Sequence, residues 1–141
     1  MANSSRAKLA QRLHSVAIRV LRHARTSDRE SGIGPARLSA LSVLVYGGPC
    51  TLAELANAEQ VSAPTMSRIV QALERDGLAR RQASDEDKRA VILRATRKGE
   101  QLLERARQRR LSRIEALLQS ADSADVALLE EALSRVFPGS S

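Results

Sequence analysis

Side chains that donate hydrogen bonds recur along one short segment of the sequence, VSAPTMSRIVQALERDGLARR, residues 61–81. Within it, Pro64, Arg68, Gln71 and Arg75 follow one another at intervals of three or four residues, which places them on one face of an α-helix. Guanidinium and amide groups donate hydrogen bonds to phosphates and to base edges. The pattern therefore indicates a surface for a polyanion, with Arg68 as the candidate for a bidentate contact to guanine. Ordinary solvated surface residues remain the alternative at each position.

Short polar groups stand at the start of the same segment. Ser62, Thr65 and Ser67 reach phosphates or base edges without bulk, and the N-terminus of a helix itself attracts phosphate. Ser62 is equally suited to cap the helix with no ligand present. Met66 and Val70 belong to an apolar stripe on the other side, which holds such a helix against a core.

A basic hairpin is predicted directly after this helix. Two extended runs, Leu78–Gln82 and Arg89–Arg94, flank a polar loop of hairpin length. Lys88 and Arg89 lie near the tip, and the DNA minor groove attracts arginine because negative potential is concentrated there. Asp87 suits two roles: its carboxylate orients the Arg89 guanidinium by a charge-assisted bond, or it belongs to a solvated acidic tip.

Helices on both sides must position these two motifs. A long amphipathic helix through Leu9 and Leu21 comes first, and Thr26–Gly34 is a loop by composition. Gly77 supplies a left-handed stop for the fourth helix. In chain order the later helices are predicted to start at Pro35, Thr51, Ser62, Thr96, and Asp122 or Ser123.

Two short helices joined by a tight turn, the second with a basic free face, form a helix-turn-helix, and the hairpin makes it a winged helix. The predicted fold class is mainly α with a small β-hairpin wing and flanking dimerisation helices. Residues 1–34 are the N-terminal dimerisation helix and loop, 35–99 the winged helix-turn-helix, and 100–141 the C-terminal dimerisation helices. The apolar stripes of the flanking helices favour burial against a second chain.

The amino-acid composition indicates which classes of partner the chain is suited to bind. A net charge of +7 and a pI of about 10.9 favour nucleic acid first and an anionic membrane surface second. Tyr46 and Phe137 are the only aromatic residues, which disfavours single-stranded RNA because its sites need stacking rings. Cys50 is the only cysteine, and no signal peptide or membrane span is predicted, so a cytoplasmic protein is expected.

The sequence contains no pattern of residues that indicates an enzyme. There is no glycine-rich phosphate loop, no cluster of metal-ligand residues and no nucleophile beside a base, so neither catalysis nor a cofactor or metal is predicted. Cys50 has no adjacent base to lower its pKa, which favours a buried apolar role over oxidant sensing. His14 is interpreted as structural or exposed, and a protein-interaction or RNA-binding winged helix is the competing function.

Two segments of the sequence resemble the MarR family of bacterial winged-helix regulators. Asp87–Gly99, DKRAVILRATRKG, is similar to that family's pattern of D-x-R, a short strand and Leu-Thr-x-x-Gly, with Ala95 replacing the usual leucine. The segment from Val61 to Arg81 is similar to the family's recognition helix and the strand after it. The match extends over nearly the whole chain.

This resemblance implies a homodimer that interlocks through the N-terminal and two C-terminal helices. It implies repression at a pseudo-palindromic operator in double-stranded DNA, with release by a small-molecule effector in many members. The half-sites are expected about 10 base pairs apart. The residues predicted to contact DNA are Ser62, Ala63, Pro64, Thr65, Ser67, Arg68, Gln71, Arg75, Asp87, Lys88 and Arg89.

Overall fold

The computed structural model of the chain describes residues 2–139. Most of these residues are helical, and one antiparallel two-stranded hairpin lies between the helices that they form. The predicted fold class, mainly helical with a small hairpin, is confirmed. The elements in chain order are α1 (Ala2–Arg25), a 3₁₀ helix (Thr26–Ser31), α2 (Pro35–Tyr46), α3 (Leu52–Ala58), α4 (Ala63–Arg75), β1 (Ala79–Ala83), β2 (Val91–Ala95), α5 (Arg97–Leu118) and α6 (Ser123–Val136).

The described residues divide into two compact units. Arg25–Arg110 form the central unit, and residues 2–24 with 111–139 form the terminal unit. Helices α2, α3 and α4 and the hairpin all belong to the central unit, so every residue predicted to contact DNA lies in that unit.

The core of the central unit is aliphatic, as the scarcity of aromatic residues predicts. Tyr46 lies outside it, with 67% of its surface exposed. Leucine, valine and methionine side chains from α2, α3, α4 and the hairpin meet there instead, and their burial is the main stabilisation of the unit. The large side chains with at most 1% exposure are Leu41, Leu55, Met66, Val70, Leu73, Leu78 and Leu93.

Helix α4 starts and ends where the sequence predicts. The Ser62 hydroxyl accepts a hydrogen bond from the Thr65 N–H at 3.3 Å, and Pro64 occupies the first turn. At the other end, Gly77 adopts φ +72°, and the Leu78 N–H donates to the Leu73 carbonyl at 2.8 Å. This left-handed termination satisfies carbonyls that a frayed end would leave unpaired.

The turn between α3 and α4 contains a left-handed residue that is not glycine. Gln60 has φ +55°, and the following Val61 N–H donates to the Ala56 carbonyl at 3.0 Å. A side chain in this conformation carries a strain of roughly 1 kcal/mol. The two helices pack against each other, which keeps the tight turn in place.

The prediction that Thr26–Gly34 is an irregular loop is wrong over most of its length. Thr26–Ser31 form a 3₁₀ helix that ends at Gly32, which has φ +78°. Its order comes from distant contacts, because Asp28 accepts two hydrogen bonds from the Arg110 guanidinium at 2.6 and 3.1 Å. Loop-like composition contains no sign of a partner 82 residues away.

The predicted strands are displaced by one or two residues from the observed ones. Leu78 belongs to the termination of α4, so β1 begins at Ala79. Arg89 belongs to the loop, because its N–H donates to the Asp87 carboxylate at 3.0 Å, so β2 begins later, at Val91. Cys50 also adds an isolated bridge to Leu93 on the free edge of β2, which was not predicted.

Thr96 joins the end of α4 to the start of α5. Its side-chain oxygen accepts from the Gly99 N–H at 3.1 Å, as expected of a helix cap, and its hydroxyl donates to the Gly77 carbonyl at 2.6 Å. Its own N–H donates to the Leu78 carbonyl at 3.0 Å. One residue thereby fixes the base of the hairpin against two helices.

Candidate nucleic-acid interface

Helix α4 is divided sharply into a buried and an exposed face. Met66, Val70 and Leu73 are fully buried, and Ile69 is half-buried beside them. These side chains recur at the spacing of one helix face, and their burial fixes the rotation of α4 about its own axis.

The other face of α4 is exposed from its first turn to its last. Pro64, Arg68, Gln71 and Arg75 all lie there, as predicted. The structure thus brings the four residues together on one solvent-facing surface, which we call the recognition face. Gln71 and Arg68 offer amide and guanidinium donors near the middle of that face.

The first turn of α4 is exposed in the same way. Ser62, Ala63 and Thr65 are exposed, and Ser67 is half-buried. The Ser62 hydroxyl also donates to the Thr65 side-chain oxygen at 2.9 Å. Ser62 therefore performs the capping role that the sequence left as one of two interpretations.

Two carboxylates near the end of α4 pair with arginines of other elements, and Asp76 also lies 3.8 Å from Arg75 at the end of the recognition face. Glu74 accepts from Arg81 of β1 at 2.5 Å, and Asp76 accepts from Arg37 of α2 at 3.2 Å. Both pairs are partly exposed, so each contributes under about 1 kcal/mol. Their larger consequence is geometric, because they leave Arg68 outside the ion pairs that the described residues form.

Sequence reasoning missed these two links. Glu74 and Arg81 are 7 residues apart on different elements, and Arg37 and Asp76 are 39 apart. Charge patterning along one helix does not reveal such pairs. The termination at Gly77 was the only available signal, since it predicts a sharp reversal that returns the chain beside the end of α4.

The hairpin loop is closed by its own backbone. The Ser84 N–H donates to the Ala90 carbonyl at 2.9 Å, and the buried Ser84 hydroxyl accepts from the Glu86 and Asp87 N–H groups at 3.3 and 3.4 Å. Asp87, Lys88 and Arg89 are exposed at the tip, in the loop where the sequence places them.

The suggested pairing of Asp87 with the Arg89 guanidinium is wrong. The Asp87 carboxylate accepts instead from the Arg89 backbone N–H at 3.0 Å, and the Asp87 carbonyl accepts from the Ala90 N–H at 2.9 Å. An aspartate two residues before its N–H partner forms an Asx turn, which is the shorter-range option for a carboxylate in a loop. Asp87 therefore shapes the loop and leaves the Arg89 side chain unconstrained by it.

Cys50 is half-buried beside β2 and has a protonated thiol at neutral pH. Burial raises the pKa of the Cys50 thiol, and the negative charge of Glu54 raises it further. No group of three or more His, Cys, Asp or Glu side chains gathers as a metal site anywhere in residues 2–139. In the same part of the chain, no helix combines the length and apolar character needed to cross a membrane.

We expect iodoacetamide to modify Cys50 several-fold more slowly than free cysteine at pH 7, because only the thiolate reacts and a raised pKa reduces its fraction. The rate should keep increasing with pH beyond the ordinary thiol pKa of about 8.5, where the rate for free cysteine levels off. Mass spectrometry of the native protein against time measures it. The protein unfolded in urea is the matched control and should react at the rate of free cysteine. Equal rates in the two states would contradict the protected thiol.

Known proteins resemble this chain both in sequence and in fold. The sequence matches the model of the MarR family over residues 31–90. A helix-turn-helix transcriptional regulator of Mycobacterium bovis is 31% identical over 138 residues, which cover 90% of this chain and 96% of that relative.

Solved structures share the fold over almost the whole chain. A transcriptional regulator from Thermotoga maritima superposes with a TM-score of 0.84 at 28% identity, covering 92% of both chains. A MepR mutant of S. aureus, solved bound to an oligodeoxyribonucleotide, has a TM-score of 0.71 at 18% identity and covers 91% of this chain and 94% of its own.

Proposed function

The chain belongs to the MarR family of DNA-binding helix-turn-helix transcriptional regulators, and on that premise we propose that it is a homodimeric repressor of a pseudo-palindromic operator. The recognition face of α4 enters the major groove, and the tip of the hairpin enters the adjacent minor groove.

One observation carries the proposal: a basic, fully exposed recognition face on a helix whose other face is locked into the core. Arg68 and Gln71 have no carboxylate partner among the described residues, while Glu74 and Asp76 are paired with other elements. The helix is held in place by its buried face, and the donors of these two side chains remain available to base edges.

Exposed apolar side chains on the flanking helices support a homodimer. In a single chain, none of the residues of α6 is buried, and its Leu128 and Val136 are 64% and 65% exposed. Leu9 of α1 is 65% exposed as well, and Leu13 and Val16 are about half exposed. Apolar surface of this extent is costly in water, and a second copy of the chain removes it while supplying the symmetry of a palindromic site.

The operator follows from that symmetry. Two recognition helices related by a two-fold axis enter successive major grooves on one side of the duplex, so we place the half-sites about 10 base pairs apart. A dimer bound there blocks access of other proteins to the DNA, which favours repression. Release by a small-molecule effector completes the proposal and rests on the family resemblance. The site of action is the cytoplasm, where bacterial DNA is found.

We expect Arg89→Ala to weaken operator binding by about 1 kcal/mol and to reduce the preference for A·T-rich flanks. The Arg89 side chain is exposed at the hairpin tip, and a narrow minor groove concentrates negative potential. Titrations against operators with A·T-rich and G·C-rich flanks measure both effects. Lys88→Ala, at the adjacent exposed position, removes the same charge and should change affinity without changing the flank preference.

Selection from a random duplex library, followed by a salt titration of the selected sequence, tests the proposal as a whole. We expect a two-fold symmetric motif bound well above random DNA, and a dimer in analytical ultracentrifugation at micromolar concentration. Binding without any motif, with only a steep salt dependence, would contradict sequence-specific regulation. A monomer under these conditions would contradict the homodimer.

A further inference from the structure

Two arginines lie directly opposite each other on the hairpin. The register of the sheet pairs Arg80 of β1 with Arg94 of β2, and both residues are exposed. Leu93 and Ala79, their neighbours along the strands, are buried and point to the other face. Arg80 and Arg94 therefore share the outward face of the hairpin, away from the core of the central unit.

Neither arginine is neutralised within the part of the chain that the structure describes. The neighbouring Arg81 pairs with Glu74, but Arg80 and Arg94 take part in no ion pair or side-chain hydrogen bond among residues 2–139. Like charges directly opposite on a sheet repel and reduce its stability. An anion held between the two guanidinium groups would reverse that repulsion, and two arginines with their β-carbons about 5.5 Å apart can both reach one phosphate.

The charge of the hairpin tip makes such a contact useful. The loop at residues 84–90 contains the acids Asp85, Glu86 and Asp87 against the bases Lys88 and Arg89, and its net charge is −1. The acidic residues of the loop offset the attraction of Lys88 and Arg89 to a minor groove bordered by phosphates. Further unpaired positive charge of the hairpin, with no acidic residue beside it in the strands, lies on its arms at Arg80 and Arg94.

The position of the pair along the arm favours DNA as the source of the anion. From Val91, the first residue of β2, to Arg94 the strand rises about 10 Å, at roughly 3.4 Å for each residue. The minor groove is about 7.5 Å deep. With the tip on the groove floor, the backbone at Arg80 and Arg94 therefore stands above the rim of the groove, and their long side chains must reach down to the phosphates that border it.

We propose that Arg80 and Arg94 together bind one phosphodiester of the DNA strand bordering the minor groove, and so hold the acidic hairpin tip in place. This contact rests on the proposed function, because it requires the hairpin to enter a minor groove. It is sequence-independent, and it adds a phosphate site on the arms to the contacts predicted at the tip.

Salt titrations of the full-length protein test the site. We expect the double variant Arg80→Ala/Arg94→Ala to bind both the operator and a random duplex five- to tenfold more weakly, since phosphate contacts carry no sequence information. The slope of log K against log salt should become less negative by about 1.8 for a dimer, which is about 0.9 for each phosphate lost. The double variant Arg105→Ala/Arg107→Ala, at two exposed arginines of α5, is the charge-matched control and should leave the slope unchanged.

A backbone substitution identifies the phosphate directly. Replacing single phosphates of the operator by neutral methylphosphonates should reveal one position in each half-site that weakens the wild-type protein but not the double variant. If every position affects the two proteins equally, or if Arg105→Ala/Arg107→Ala reproduces the slope change, the proposal is overturned. Competition by inorganic phosphate at constant ionic strength, without any sensitive backbone position, would show a free-anion site and would also overturn it.

One further variant separates an effect on folding stability from an effect on DNA binding. Arg80→Glu places a carboxylate opposite Arg94, so we expect the same or a higher Tm together with weaker DNA binding than the alanine variant. If Arg80→Glu binds DNA as tightly as the wild type, the pair does not hold a phosphate. A failure of the wild-type protein to select a symmetric motif would contradict the proposed function alone, because the random-duplex titrations report the phosphate contact independently.

Discussion

Arg68→Ala is expected to weaken operator binding by about 1–3 kcal/mol while binding to random DNA changes little. The Arg68 side chain lies on the recognition face, one turn after the helix start, where recognition helices bring side chains to base edges. A guanidinium there donates two parallel hydrogen bonds to a guanine, and alanine leaves both acceptors without a donor. Affinity measured on the selected operator, and on operators with each base changed in turn, should show relaxed specificity at one position.

Arg75→Ala is the comparison for this prediction. Arg75 shares the recognition face but lies two turns further along α4, about 10 Å along the helix axis, and it contacts Asp76 at 3.8 Å. A side chain at that end suits the phosphate backbone, so its loss should be similar on the operator and on random DNA. Equal losses on both duplexes for Arg68→Ala would contradict its assignment to a base. Arg68→Lys separates the two cases further, because lysine keeps the charge but not the planar pair of donors.

Features determined by near neighbours in the sequence could be predicted well. The caps at Ser62, Thr51 and Asp122 each accept from an N–H two or three residues later, and all three are confirmed. The left-handed conformation of Gly77 is confirmed for the same reason. Such contacts depend on residue type and spacing alone, which the sequence displays directly.

Features determined by distant partners could not be predicted. The order of the 3₁₀ helix depends on Arg110, and the free edge of β2 is paired by Cys50, which lies 43 residues before Leu93 in the chain. The predicted pairing of Asp87 with the Arg89 guanidinium was wrong for a different reason. A carboxylate in a loop has a backbone N–H nearby, and that N–H competes with any guanidinium for its oxygens. The composition of the recognition face was predictable, whereas the ion pairs that Glu74 and Asp76 form with arginines of other elements were not.

The two elements proposed to read DNA are joined at a single junction. Gly77 ends α4, Leu78 leads into β1, and Thr96 returns from β2 to bond to both of their carbonyls at 2.6 and 3.0 Å. The angle between the recognition helix and the hairpin is therefore set by backbone contacts at this point. Any displacement of the junction changes both elements together.

Gly99→Ala is expected to reduce the free energy of unfolding by about 3 kcal/mol. A β-carbon added at Gly99 would lie 2.2 Å from the Leu78 carbonyl oxygen and 3.0 Å from Leu41 Cδ1. The oxygen belongs to the backbone and accepts the Thr96 N–H, so it cannot move without opening the junction. Urea denaturation at fixed protein concentration measures the loss, and operator affinity should decrease with it because the hairpin shifts.

The sign of this effect distinguishes close packing from helix propensity. Within a helix, alanine is normally favoured over glycine by about 1 kcal/mol. If helix propensity alone determined the effect, Gly99→Ala would therefore be neutral or stabilising. Gly34→Ala is the matched control, because a β-carbon at Gly34 meets nothing within 4 Å and its φ of −66° suits alanine. We expect that control to change stability by no more than about 1 kcal/mol, the usual effect at a helix cap. A stable Gly99→Ala protein would mean that the junction can relax, and that the glycine in the Thr-x-x-Gly pattern is not required by the contact with Leu78.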